Sequence, residues 1–245
     1  MKKLLITFFV CAFSLSAFSQ VTLIKKNGRK VEGVVVFYKA GKVFVATNIN
    51  QSGAIGTRVG DIKQILTPIV RSVANMRKAY NKGSFAPVAE RGSKTVTDNR
   101  SLGWGKRAAF YFGMSLFREG KVSAAEKVFE AAIGCVNGSD PELDNQLLAL
   151  GVAFCKAKSA SKVERILKTM AKDLKFDAKP FFYNLQGDLL AKQDKKPQAV
   201  LAYYKSYMIG TSSGWERGYA KSQIAKIYTE DDDPRAAKIK LLEQP

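Results

Sequence analysis

Histidine is absent from this chain of 245 residues. That removes the commonest general base and the commonest metal ligand together. Cysteine is scarce, at three. Cys11 lies in an apolar leader. Cys135 and Cys155 sit inside helical patterns with no histidine to activate either thiol, which argues against a thiol nucleophile. No serine stands in a G-x-S-x-G elbow. Gly53, Gly56 and Gly60 lack the Lys-Ser/Thr pair that completes a phosphate-cradling loop. Beyond the leader, no apolar run approaches the roughly 20 residues of a membrane span. Acidic side chains are in short supply as well, with 21 Asp and Glu against 40 Lys and Arg. A glycosidase-like pair of dispersed carboxylates is the catalytic class that composition leaves open. Glu126, Glu130 and Asp188 nevertheless fall on helical faces without forming an obvious pair. The expectation is a non-catalytic protein with no cofactor and no metal.

What is present begins with MKKLLITFFVCAFSLSAFSQ. Two lysines, an apolar run over residues 4–12 and a small-x-small end at Ala17-Phe18-Ser19 have the layout of a secretory signal peptide cut after Ser19. Val10 stands where a lipidated cysteine would need a small neighbour. The mature protein is therefore expected outside the cytoplasm, periplasmic or extracellular, and soluble. An oxidising compartment invites a disulfide. Cys135, however, ends one helix, and Cys155 lies about a dozen residues into the next. At 1.5 Å rise that is roughly 15 Å or more along the axis, against the 7 Å or so that a bridge tolerates. Two free thiols are expected.

The charge is uneven. Residues 21–66 carry eight basic and two acidic side chains, residues 67–108 nine and two, and residues 109–245 carry 21 and 17. Such asymmetry points to an anionic partner for the front half, with a generally solvated lysine-rich surface as the alternative. Over residues 20–67 the pattern is of short strands. Val21-Thr22-Leu23-Ile24 precedes an Asn27-Gly28 hairpin turn, a valine-rich strand follows, and Ala40-Gly41-Lys42 turns into Val43-Phe44-Val45-Ala46-Thr47. A strand, an N-G turn and a long strand bent at Gly33 resemble Sm-like and Src-homology-like small barrels, and a small β-barrel is the expected form. Sm-like barrels often bind RNA. Export and the lack of a stacking platform beyond Phe37, Tyr38 and Phe44, which read as core or edge packing, argue against nucleic acid here.

From residue 68 the periodicity becomes helical. Residues 69–80 form one amphipathic stretch, Gly83 turns it, and a weaker helix follows from Pro87 to about Thr95, with residues 98–105 read as loop. The segment KRAAFYFGMSLFREGKVSAAEKVFEAA, residues 106–132, is a helical hairpin with its turn at Glu119-Gly120-Lys121. Small Gly113, large Leu116, turn Gly120, small Ala125, large Phe129 and small Ala132 resemble the tetratricopeptide repeat. Gly83 lies 37 residues before Gly120, so the first pair reads as a degenerate hairpin over residues 68–105. Further copies place Gly151 with Leu150, Phe154, Val163, Leu167 and Met170, then Gly187 with Tyr183, Leu190, Ala199 and Tyr203. A last copy has Ala225, Tyr228, Ala237 and Leu241. The unit is near 36 to 38 residues, against about 34 in the family. Asp140-Pro141 and Asp233-Pro234 each set a capping side chain before a first-turn proline.

The expected fold is α+β and mainly α, a small β-barrel followed by an α-α superhelix of hairpins over residues 106–245. The resemblance implies a groove on the first helix of each hairpin, holding a peptide or helix of a protein partner in the cell envelope. Its positions here are Arg107, Phe110, Met114, Phe117, Asn145, Leu148, Val152, Asn184, Asp188, Lys192, Tyr219, Ser222 and Lys226. For Phe110, Met114 and Phe117 the alternative is packing against the preceding helix pair. The competing function is binding of anionic envelope polymers or a membrane surface of lipid headgroups through the basic front half.

Overall fold

The computed structural model describes residues 20–157, 159–211, 214–231 and 233–235. The leader, with its expected cleavage after Ser19, lies outside them, as do Ala237 and Leu241. The chain divides into two compact units, residues 1–68 and 69–245.

The first unit has six strands: β1 (Val21–Lys25), β2 (Lys30–Gly33), β3 (Val35–Lys39), β4 (Lys42–Ala46), β5 (Ile55–Arg58) and β6 (Ile62–Leu66). They form two antiparallel three-stranded sheets, ordered β2-β1-β6 and β3-β4-β5. Leu23, Val43 and Ile65 are fully enclosed between them. The chain passes from one sheet to the other at the expected bend. A side chain at Gly33 would strike the carbonyl oxygen of Ala46, the same oxygen that accepts the Val34 N–H at 2.8 Å. The expected barrel, however, does not close. Among the described residues no strand ladder joins the two sheets, and the 3-10 turn Val59–Asp61 separates β5 of one from β6 of the other. Among the described residues both sheets therefore keep unpaired edges.

Nine helices are described in the second unit. They are α1 (Arg71–Asn81), α2 (Phe85–Asn99), α3 (Gly105–Arg118), α4 (Val122–Ala132), α5 (Pro141–Cys155), α6 (Ala160–Met170), α7 (Lys179–Lys192), α8 (Lys196–Ile209) and α9 (Trp215–Glu230). Sequential pairs pack as hairpins. Three turns close alike. Gly83, Gly120 and Asp194 all have positive φ, at 73°, 76° and 57°. In each, the following N–H reaches back to a carbonyl five residues earlier: Ser84 to Ala79, Lys121 to Leu116 and Lys195 to Leu190. This is the Schellman arrangement, which satisfies orphan carbonyls at a helix end. Helix α2 is longer than its sequence suggested. Pro87 sits in the first turn, where its missing N–H costs nothing. At the other end, a Lys94–Asp98 pair at 2.6 Å and an Asn99 side-chain bond to the Thr95 carbonyl at 2.8 Å carry the helix through residues read as loop. The cap expected at α5 is present, Asp140 Oδ1 accepting from the Leu143 N–H at 3.0 Å.

Aromatic rings lie over glycines between the helices. The Phe129 ring is fully buried, and a methyl built on either Gly113 or Gly151 would collide with it. Tyr203 lies over Gly187 in the same way, and Phe112 over Gly92. Cys135 and Cys155 are free thiols. Burial raises both pKa values, and with Glu126 nearby Cys155 is pushed up to about 11. No helix of the described residues is long and apolar enough to cross a membrane.

Candidate functional site: the pocket among the inner helices

Helices α1, α3, α5, α7 and α9 pack in succession, and α9 also touches α1. The seam of α9 against α1 and the start of α2 is built from residues far apart in sequence. The Tyr80 hydroxyl donates to Glu216 Oε1 at 2.6 Å, and Trp215 packs edge-on against Phe85 with ring centres 4.8 Å apart. Glu216 is almost wholly buried and is held from three sides. Besides Tyr80, the Asn184 amide donates to its Oε2 at 2.6 Å, and the Arg118 guanidinium lies 3.3 Å from Oε1. Burial works against the Arg118 charge, but the Tyr80 and Glu216 oxygens outweigh it and raise its pKa. The same guanidinium faces the Tyr219 ring at 4.7 Å and the Phe154 ring at 5.5 Å. Burial raises the Tyr80 pKa, with the Glu216 charge adding to it.

Above this polar core opens a pocket of about 340 Å³ to which all five inner helices contribute. Helix α1 supplies Arg77 and Asn81, α3 supplies Arg107 and Tyr111, and α5 supplies Leu147. Pro180 and Phe181 come from α7 and Arg217 from α9, with Phe176 and Asp177 from the 3-10 turn ahead of α7. Arg107 Nε donates to Asp144 Oδ1 at 2.6 Å. Burial raises the Asp144 pKa, and Arg107 opposes the rise. Arg217 stacks on the Tyr207 ring at 4.4 Å. Arg77 is exposed and makes no ion pair among the described residues. The Tyr111 hydroxyl is buried and its pKa is pushed up to about 12. Chemically the pocket has three arginines over aromatic walls, with Asp177 and Glu216 also in its lining and Arg107 held by Asp144. It suits an acidic segment that also carries an apolar side chain.

The thirteen groove positions read from the sequence have diverse fates. Arg107 reaches the pocket rim. Phe110, Met114 and Asn184 are fully enclosed, and Leu148 is buried with them. Phe117 and Val152 are half-buried, the Phe117 ring tilted against Phe154 at 5.7 Å. Asp188 accepts from both the Tyr203 and Tyr219 hydroxyls at 2.7 Å, and burial raises its pKa. Asn145 is exposed and accepts from Lys106 at 2.8 Å. Lys192 donates to the Ala157 carbonyl at 3.2 Å. Ser222 turns back to the Tyr219 carbonyl, and Lys226 lies 3.9 Å from Glu230. The pocket residues that sequence reasoning missed lie one helical step around from those it chose: Tyr111 follows Phe110, and Leu147 precedes Leu148. Phe176 and Asp177 carried no signal, since the short turn holding them has no periodicity. No protein-family profile, curated protein or solved structure matches this chain.

Proposed function

We propose that this is a non-catalytic interaction protein of the cell envelope, whose tetratricopeptide-like helical hairpins hold an acidic, aromatic-bearing segment of a partner protein. The observation that carries the reading is the convergence of all five inner helices on one pocket with three arginines at its rim and the rings of Tyr111, Phe176 and Phe181 in its wall. An interaction site assembled from successive hairpins is the usual use of such arrays. Arginine and aromatic side chains are also the residues that most often anchor a bound partner.

A displayed random-peptide library selected against the full chain tests it. Enriched peptides should combine Asp or Glu with an aromatic residue. Their affinity, read by fluorescence anisotropy, should fall at least about tenfold in an Arg77→Glu, Phe176→Ala variant. Both positions are exposed, so thermal unfolding should be unchanged. Failure to enrich any sequence, or equal binding by the variant, would overturn the proposal.

A further inference from the structure

The second sheet of the β unit carries a feature that the helical pocket does not explain. Its register sets Lys39 opposite Lys42, and Lys42 opposite Arg58. Three cations thus stand in one row across three strands. Two residues along, on the same face by strand alternation, the next row is Phe37, Phe44 and Gly56. The other face of these strands holds the buried Val43, Val45 and Thr57, so both rows lie on the outer side. Phe37 and Phe44 are parallel to within 9°, with ring centres 5.2 Å apart. A Cβ at Gly56 would sit 2.7 Å from the Phe44 ring, so the missing side chain is what lets that ring lie down over β5. The loop around Gln51 and Ala54 borders the Lys39, Lys42, Phe37 and Phe44 part of this surface, where with Tyr38 and Ala40 it walls a shallow pocket of about 650 Å³.

Like charges directly opposite one another destabilise a sheet, and here two such pairs are consecutive. Nothing within the described residues offsets them. Lys39, Lys42 and Arg58 make no ion pair or side-chain hydrogen bond there. Of the two acidic residues in residues 21–66, Glu32 lies in the other sheet and accepts from Gln20. Asp61, in the turn after Arg58, forms no ion pair with it. A row of uncompensated cations beside a stacked aromatic pair attracts an anionic occupant.

We propose that this outer face of β3-β4-β5 binds an acidic polysaccharide, a chain with one carboxylate per sugar ring. Neighbouring strands hold the Cα atoms that bear the cations about 5 Å apart, and the long side chains let each cation reach one of several successive carboxylates. The C–H face of a sugar rests on the outer face of the Phe37–Phe44 stack. The two rings are already stacked on each other, which leaves no slot between them for a base. The loop over residues 51–54 makes the site concave, which suits a chain better than a flat bilayer. This site is independent of the helical pocket and stands whether or not that pocket binds a peptide.

The test uses the full chain at about 0.15 M salt, where weak surface attraction is screened. Titration calorimetry with oligogalacturonate should show binding, and neutral dextran should show none. Lys39→Gln, Lys42→Gln and Arg58→Gln together should weaken it at least about tenfold. Lys26→Gln, Arg29→Gln and Lys30→Gln together remove the same charge elsewhere in the unit and should leave it within about threefold. Phe37→Ala should weaken binding with no change in charge. If the first triple variant does not fold, Lys42→Gln, in the middle of the row, carries the same comparison. Absence of oligogalacturonate binding, equal loss in both triple variants, or binding to dextran would overturn the proposal. So would tighter binding to a single-stranded oligonucleotide, which would make the site one for nucleic acid, or to phosphatidylglycerol vesicles, which would make it one for membrane.

Discussion

Phe129 shows how much one side chain can organise. Its ring is gripped between Gly113 of α3 and Gly151 of α5, while its own backbone belongs to α4. Three helices are therefore spaced by a single phenyl group. Helix propensity taken alone would favour alanine at 113. The packing opposes it. A methyl at residue 113 would land on a fully buried ring that has Gly151 behind it and nowhere to retreat. Overpacking of this kind costs about 1–3 kcal/mol, more than the gain of up to about 1 kcal/mol in helix propensity. Gly113→Ala should lower the midpoint of urea unfolding. Lys121→Leu, in the exposed turn, should leave it in place. A neutral Gly113→Ala would mean that the ring is free to move.

Among the elements, the hairpin turns were the most legible part of the sequence. Gly83 and Gly120 stand 37 residues apart because each must adopt a left-handed backbone after a helix, a demand that glycine alone meets without strain. Asp194 meets the same demand with a side chain. It is exposed, and the left-handed region costs a residue with a Cβ about 1–2 kcal/mol, less for Asp and Asn. Asp194→Gly should therefore stabilise the unit by up to about 1 kcal/mol, read as a rise in thermal midpoint. A fall would show that the Asp194 carboxylate contributes more than its backbone costs. The Asp140-Pro141 cap was equally legible, being a local signal read by local chemistry. The barrel was not, because strand order along a chain says nothing of whether the last edge finds a partner. Nor could periodicity separate groove from core at Phe110 and Met114. An apolar stripe looks the same whether it awaits a ligand or has already met another helix.

At the scale of the helical unit, the Phe110 ring has met α7, lying edge-on to Phe181 at 4.9 Å, and the unit closes where α9 touches α1. Tyr80, Arg118, Asn184 and Glu216 come from four of the five inner helices and meet at one carboxylate. No pattern in the sequence links them, since Tyr80 and Glu216 are 136 residues apart. Removing one partner of a buried pair strands the other charge, at a cost of about 3–5 kcal/mol. Glu216→Ala should accordingly destabilise the whole helical unit by that amount, with Tyr80 and Arg118 both losing their acceptor. Chemical denaturation followed by far-ultraviolet circular dichroism measures it. A loss under about 1 kcal/mol would mean that Arg118 finds water when Glu216 is gone.

In a simple array each hairpin leans only on its neighbours and can form as soon as the next has emerged. The closure of α9 onto α1 removes that freedom during synthesis. At about 5–20 residues per second, roughly 5–20 s separate the ribosomal addition of Arg118 from that of Glu216, 98 residues later. Throughout that interval the Arg118 guanidinium, destined for the interior, lacks the carboxylate it pairs with. The nascent helices must keep it in water, and so must hold their inner faces apart until the last of them arrives.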